Sequence, residues 1–394
     1  MSGTAHSATL DMARSHTRRG APIVDGPTVM LTAAILLLGL IMVTSASISF
    51  AGRDGEPFIY LERQLVFSLV GAALAALVFC IPTEKLEKAS LPLLLASAAM
   101  LLAVLVPGLG HVVNGSRRWM QVAGLSFQVS EAARVLTLIW VASYAVRYEE
   151  ALRSGLGGLA RALGLLGLMA LLLLGEPDFG AASVLFITGF GLLFLAGARL
   201  RWVFVMVLVA AGAMTLLVLF SSYRLHRFTA FLDPWADPFN GGFQLTQSLI
   251  AIGRGAWFGV GLGDSVQKLF YLPEAHTDFL FAVLAEELGL AGVVVTLGLF
   301  LALSARAFLI ARRAFDAGLK FPSYLASGFG LWLGVQAFIN IGVNMGVLPT
   351  KGLTLPLMSY GRSSLLVTLV WLGIVLRVNH EAVHSSRRAL RGEA

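Results

Sequence analysis

Residues 271–310 read YLPEAHTDFLFAVLAEELGLAGVVVTLGLFLALSARAFLI. From Phe281 to Ile310 the stretch is apolar and long enough to cross the roughly 30 Å hydrocarbon core of a bilayer, for which about 20 helical residues suffice. Its opening part crowds Glu274, Asp278, Glu286 and Glu287 into the mouth of that helix. An ionisable group costs roughly 2.5–3.5 kcal/mol at the bilayer centre and less near the interface, so acids kept at such a place read as functional. The pattern predicts a membrane-spanning helix with chemistry at its water boundary.

The rest of the chain agrees with that class. It is 57% hydrophobic and only 13% charged, with a mean hydropathy of +0.81. Soluble domains carry roughly 25% charged residues. Spans are expected near 28–49, 64–81, 89–107, 132–145, 160–174, 181–198, 202–220, 281–310, 324–345 and 363–378. This is an all-α polytopic membrane protein of about ten helices. The first run is too long for a signal-peptide core and is read as an uncleaved span. Cys80 is the single cysteine, so no disulfide framework exists.

The net charge of +7 follows topology rather than nucleic acid. Basic residues gather between alternate apolar runs, among them Arg18, Arg19, Lys85, Lys88, Arg147, Arg153, Arg312, Arg313, Arg387 and Arg388. The positive-inside bias then places both termini in the cytoplasm. The division expected is an N-terminal tail (1–26), a transmembrane domain (27–378) and a C-terminal tail (379–394). Eleven of the 29 basic residues are left on or near the outer side, among them Arg117, Arg118, Arg224, Arg227, Arg254, Lys268, Lys351 and Arg362 in outer loops or at outer helix ends. They suit an anionic ligand such as a lipid diphosphate, or simply pair with local acids.

One connection is long. About 60 residues separate Phe220 from Phe281, and a loop of that length is either functional or disordered. Its aromatic and aliphatic content, in RFTAFLDPWADPFNGGFQLTQSLIAIGRGAWFGVGLG, argues for a folded cap (221–280) between the seventh and eighth spans. Leu245–Ile252 reads as a short amphipathic or re-entrant helix.

Several of these segments together carry a family resemblance. LDPWADPFNGGFQLTQSLIAIGRG, YLPEAHTDFLFAVLAEELG, LPTKGLTLPLMSYGRSS, NGSRRWMQVAGLSFQVSE and GEPDFG resemble the SEDS family (shape, elongation, division and sporulation), bacterial membrane glycosyltransferases of peptidoglycan synthesis. The DPW-ADPF and GLGDSVQK versions are similar to the division branch rather than the elongation branch. Val129 stands where the family has proline, Arg134 where it has lysine, and Arg362 where it has glycine.

The resemblance implies polymerisation of lipid II, with a sugar hydroxyl attacking an anomeric carbon as undecaprenyl diphosphate departs. That reaction needs a base at the hydroxyl and positive charge on the leaving group. The family's base role falls on Asp278; bare sequence also permits a helix cap there. Glu274 is read as a substrate contact, a tuner of Asp278, a metal ligand or a solvated loop acid. Arg117, Arg118 and Trp119 suit phosphate contact and interfacial anchoring, or a Trp belt with snorkelling arginines. Lys268 and Lys351 are the other diphosphate candidates. Glu131 is carried as a substrate-side acid, with a buried pair to Arg134 as its other reading. His276 reads as a loop hydrogen-bonder, Glu286 and Glu287 as structural, and Glu176-Pro177-Asp178 as an architectural turn.

A divalent cation, Mg²⁺ or Mn²⁺, fits such a reaction, and no organic cofactor is expected. The resemblance also implies a class B penicillin-binding transpeptidase (FtsI-like) as partner, together with FtsQ-, FtsL-, FtsB- and FtsN-like regulators of a septal complex in the bacterial inner membrane. The rival readings are a lipid II flippase and a scaffold. A flippase predicts charges lining a path at mid-membrane, whereas the ionisable groups here gather at one face.

Overall fold

A computed structural model describes residues 24–391, except 53–54, 114–115, 123, 200 and most of 203–230. The segment expected to form the seventh span, and the candidates Arg224 and Arg227, lie largely or wholly outside the described residues. Among those described, seven helices are long and apolar enough to cross a membrane, and two shorter apolar helices accompany them. The protein is a multi-pass, mostly helical membrane protein.

In chain order the first helices are α1 (Gly26–Ala51), α2 (Ile59–Phe79), α3 (Thr83–Lys88) and α4 (Ser90–Leu105). Next come α5 (Val129–Arg147), α6 (Glu149–Ser154), α7 (Leu156–Gly175) and α8 (Phe179–Leu195). The remainder are α9 (Phe243–Gly255), α10 (Leu280–Asp316), α11 (Lys320–Asn344) and α12 (Arg362–Arg391). α5 and α11 are the most buried spans, and α2 is the most peripheral. Around the centre, α10 packs chiefly on α11 and α12 on α2. Trp332 of α11 and Trp371 of α12, with ring centroids 5.2 Å apart, fill the space between their helices.

Asp25 starts α1 by accepting from the Thr28 amide (3.2 Å), leaving Pro27 in the first turn where no amide is required. The same carboxylate takes a two-pronged bond from Arg306 of α10 (2.9 and 2.6 Å). Arg313 lies 3.6 Å from Asp25 and also donates to Asn379 of α12. The start of the first span and the end of the last therefore meet at one end of the bundle, as an even number of crossings requires.

The connection between α4 and α5 holds an element absent from the all-α expectation. Strands β1 (Gly110–Val113), β2 (Ser116–Val122) and β3 (Leu125–Gln128) form a small antiparallel sheet in the order β1-β2-β3. Its sequence signals are the alternation through Arg117, Arg118 and Trp119, and the dipeptide Asn114-Gly115, a hairpin signature.

The region after α9 is joined to a break in α10. Gly289 has φ 64°, which interrupts that helix two to three turns from its start. The freed carbonyls of Glu286 and Glu287 accept from the amides of Val260 (2.9 Å) and Gly261 (3.2 Å). The amides of Leu290 and Ala291 in turn donate to the carbonyls of Ala256 (2.9 Å) and Trp257 (3.1 Å). Broken helices are tolerated at membrane depth only where neighbouring backbone satisfies the loose groups in this way. Close approach explains two glycines. A Cβ on Gly259 would lie 2.0 Å from the Glu287 carbonyl, and one on Gly289 would lie 2.3 Å from the Gly259 nitrogen.

Two ion pairs on buried carboxylates fasten the same junction. Glu286 is wholly buried and meets Arg254 (2.9 Å) and the Ser265 hydroxyl (2.5 Å). Glu287 receives Lys268 (2.8 Å) and the hydroxyl of Ser45 from α1 (2.6 Å). The short amphipathic helix expected at 245–252 is α9, slightly longer than its apolar pattern indicates.

Candidate active site

Residues 272–279 form a turn immediately before α10. Glu274 sits in the left-handed region (φ 56°), and its carbonyl accepts from the amides of Thr277 and Phe279 (both 3.2 Å). The Thr277 hydroxyl donates to the Glu274 carboxylate (2.7 Å), which holds that exposed acid over the turn. Behind the turn, Asn340 and Asn344 of α11 both donate to the Asp278 carbonyl (2.9 and 3.0 Å). His276 locks the flank: its carbonyl accepts from the Tyr360 amide (3.0 Å), and its ring packs among Tyr60, Tyr360 and Phe50.

Asp278 is half-buried. It rests over Gly352, where a Cβ would stand only 3.0 Å from its Oδ2. The neighbouring Lys351 places its ammonium 3.5 Å from the centroid of the Phe179 ring, at the start of α8. Burial and the like charge of Glu274 push the Asp278 carboxyl up to about 7, with Asp178 adding and Arg118 opposing. A carboxylate of that pKa can exchange a proton at physiological pH.

Arg118 reaches this group through Asp178, 3.6 Å away. Asp178 caps α8 by accepting from the Ala181 amide (3.0 Å) and also accepts from the Ser130 hydroxyl (3.0 Å) and Gln128 (3.3 Å). Beside it, Glu176 is fully buried with neither carboxylate oxygen hydrogen-bonded, and burial and Asp178 push it up to about 8. The sequence suggested only an architectural turn for Glu176-Pro177-Asp178; the fold makes it the floor beneath Arg118.

The structure thus brings Asp278, Glu274, Arg118 and Lys351 to one end of the bundle and disperses the other candidates. Side chains alternate along β2, so Arg117 turns the other way from Arg118 and donates to the Leu105 carbonyl (3.0 Å). Trp119 is half-buried in the sheet, opposite Gln128. Lys268 is 3% exposed and held in the Glu287–Ser45 cluster, about two and a half turns along α10 from Asp278. Glu131 is buried against Arg134, whose other arm donates to Gln336 of α11 (2.9 Å). Arg362 lies over the Phe67 ring of α2, 5.7 Å from its centroid.

Sequence reading missed a polar stripe on α11. Gln336, Asn340 and Asn344 recur every four residues on an otherwise apolar span and are all buried. Gln336 donates to the Thr354 carbonyl (3.1 Å) and Asn340 to that of Leu353 (2.5 Å). The stripe therefore fixes the 351–355 loop and the Asp278 turn to the same helix. Glu131, through Arg134 and Gln336, braces it from behind.

Among the described residues, no group of three or more His, Cys, Asp or Glu side chains is placed to hold a metal ion. Mg²⁺ characteristically needs only one or two carboxylates plus substrate phosphates. Asp278 and Glu274 fit that shared mode and not an all-protein cage.

A family model described as cell cycle protein, covering FtsW, RodA and SpoVE, matches residues 27–384. The chain is 53% identical over 387 residues to the "Probable peptidoglycan glycosyltransferase FtsW" of Thioalkalivibrio sulfidiphilus, covering 98% of this chain and 96% of that one. It is 51% identical to the protein of the same name from Coxiella burnetii, covering 91% and 96% respectively. Among solved structures, a chain of a peptidoglycan synthase complex that coordinates polymerization and crosslinking superposes with a TM-score of 0.71 at 34% identity, covering 91% of this chain and 98% of that one. The rod shape determining protein RodA of Thermus thermophilus superposes at 0.65 with 32% identity, covering 91% and 97%.

Proposed function

The chain belongs to the FtsW–RodA–SpoVE family of cell cycle proteins, and from that membership we propose that it is a peptidoglycan glycosyltransferase that polymerises lipid II during division, with Asp278 as its general base. The acceptor's sugar hydroxyl loses its proton to the Asp278 carboxylate as its oxygen bonds to the donor's anomeric carbon. The bond from that carbon to the diphosphate breaks, and the electron pair leaves with undecaprenyl diphosphate. Arg118 and Lys351 supply positive charge as that anion forms. Glu274 keeps Asp278 basic enough to accept a proton near neutrality. Asp278 or Glu274 would hold a divalent cation if one takes part, and it would supply charge neutralisation for the departing diphosphate.

The observation that carries this reading is Asp278 itself, half-buried at the lip of an apolar bundle, with Arg118 close enough to act on its charge and Lys351 next in the chain to the glycine on which it rests. On the same reading this end of the bundle faces outward and both termini lie in the cytoplasm. A class B penicillin-binding transpeptidase acts beside the chain to crosslink the new strand, and FtsQ-, FtsL-, FtsB- and FtsN-like regulators assemble with it at the septum.

The test is polymerisation of purified lipid II by the chain with its transpeptidase partner. Asp278→Asn is expected to lose roughly 10²–10⁴-fold in rate, the range of a general base. Equal glycan output from variant and wild type removes the assignment.

A further inference from the structure

The far end of α12 carries a motif that polymerisation does not use. Residues 380–384 read His-Glu-Ala-Val-His. This is the H-E-x-x-H pattern, in which two histidines one helical turn apart hold a metal ion and the glutamate serves as base. α12 begins beside the Asp278 turn, where the Tyr360 amide reaches the His276 carbonyl. From Arg362 to His380 the helix runs roughly 27 Å at about 1.5 Å per residue, so the motif lies at the opposite end of the bundle. Residues four apart share one helix face, and the His380 and His384 rings meet with centroids 4.3 Å apart. Rings that close bring one nitrogen of each within reach of a single ion, which binds imidazole nitrogen at roughly 2.0–2.1 Å.

The surroundings of the two rings fit that use. His384 is exposed, so an ion there keeps positions open to water. His380 packs against the Phe79 ring of α2, 5.6 Å between centroids, and its Nδ1 is buried without a hydrogen bond. A buried polar atom left alone calls for an explanation, and a bound ion or the water it carries supplies one. The glutamate is differently disposed. Its carboxylate accepts from the Thr83 amide (3.0 Å) and the Thr83 hydroxyl, and it pairs with Arg377 (2.7 Å). Glu381 is spent on tying α12 to the start of α3 and is not free to take a proton from water. Catalytic zinc sites use three protein ligands, and among the described residues no third His, Cys, Asp or Glu completes such a group.

We propose that His380 and His384 form a two-ligand site for a divalent transition metal, Zn²⁺ foremost, which it binds without hydrolytic chemistry. Water fills the remaining positions of the ion. Imidazole suits Zn²⁺, Cu²⁺ and Ni²⁺, whereas Mg²⁺ takes carboxylate oxygens and water. Arg387 and Arg388 follow in the next turn and oppose any cation held by charge alone, so the nitrogen lone pairs decide what binds.

The test uses the full chain in nanodiscs, purified on a tag without histidine so that no added imidazole competes. Titration with Zn²⁺, in excess Mg²⁺ to occupy the acids before α10, is expected to show a saturable site by calorimetry. His384→Ala should weaken it at least tenfold, and His111→Ala, at an exposed histidine of β1, should leave it unchanged. Because His384 is exposed, its alanine variant should fold as wild type does. Zn²⁺ should raise the melting temperature of wild type and not of that variant. Cu²⁺ used in place of Zn²⁺ should give an electron paramagnetic resonance signal split by two ring nitrogens, reduced to one in His384→Ala. No saturable zinc uptake, equal affinity in wild type and His384→Ala, or a Cu²⁺ signal carrying one nitrogen each overturns the site. Zinc-dependent peptide cleavage that disappears in His384→Ala would overturn its assignment as a binding site alone.

Discussion

Asn344 grips the first turn of α10 from both sides: its amide donates to the Asp278 carbonyl at 3.0 Å, and its oxygen accepts from the Ala282 amide at 3.2 Å. The proposed base is thus held through its backbone carbonyl rather than through its carboxylate. Asn344→Leu should cost about 1–3 kcal/mol, the penalty for unsatisfied buried polar groups. Thermal unfolding in detergent would show the loss, and polymerisation should fall with it. Because Asn340 donates to the same carbonyl, only the double leucine variant leaves that carbonyl without either side-chain donor, and it should lose more than the sum of the single changes.

The position of the Asp278 carboxyl near 7 fixes the pH response. A base works ionised, so the rate should climb as pH rises through about 7 and then level off. Glu274→Gln removes a like charge and should move that rise to lower pH; Arg118→Ala removes an opposing cation and should move it higher. Initial rates between pH 5 and 9 decide both. A profile indifferent to Glu274 would refute its tuning role.

Lys268 and Glu287 form a buried pair rather than a ligand contact. Removing one partner, as in Lys268→Met, should destabilise by roughly 3–5 kcal/mol, because a charge is left unmatched. Lys268→Met with Glu287→Leu should recover much of that loss. In the double variant the dependence of rate on lipid II concentration should match wild type. A persistent weakening at limiting substrate would return Lys268 to the binding site.

Glu176 makes an opposite kind of pH prediction, on stability. Its folded carboxyl is raised to about 8, chiefly by burial, above the ordinary value near 4.3. The folded state therefore holds a proton that the unfolded chain releases, and stability falls as pH climbs from about 4.5 through 8. Glu176→Gln cannot ionise, so it should match wild type at pH 5 and melt higher at pH 9. Parallel melting curves across that interval would exclude a neutral Glu176.

The membrane class and most spans were legible because a bilayer demands long apolar runs: the run read at 132–145 is α5, and that at 281–310 lies inside α10. The place of Asp278 at the mouth of α10 was legible through position. Partner choice was not, since Ser45 and Glu287 meet across 242 residues. Nothing local says that Lys268 turns inward while Arg118, on an alternating strand, turns to the acids. Two signals were present and unread: the four-residue spacing of Gln336, Asn340 and Asn344, and the alternation through Arg117 to Trp119 beside Asn114-Gly115.

The exchange of backbone bonds at Gly289 bears on how the protein is made. Until Ala256–Gly261 arrives, the upper part of α10 has carbonyls and amides with nowhere to go in an apolar medium. Residues 243–316 must therefore enter and mature as one insertion unit. An intermediate with α10 integrated but its upstream segment still unplaced would expose the unpaired backbone groups of that break to lipid.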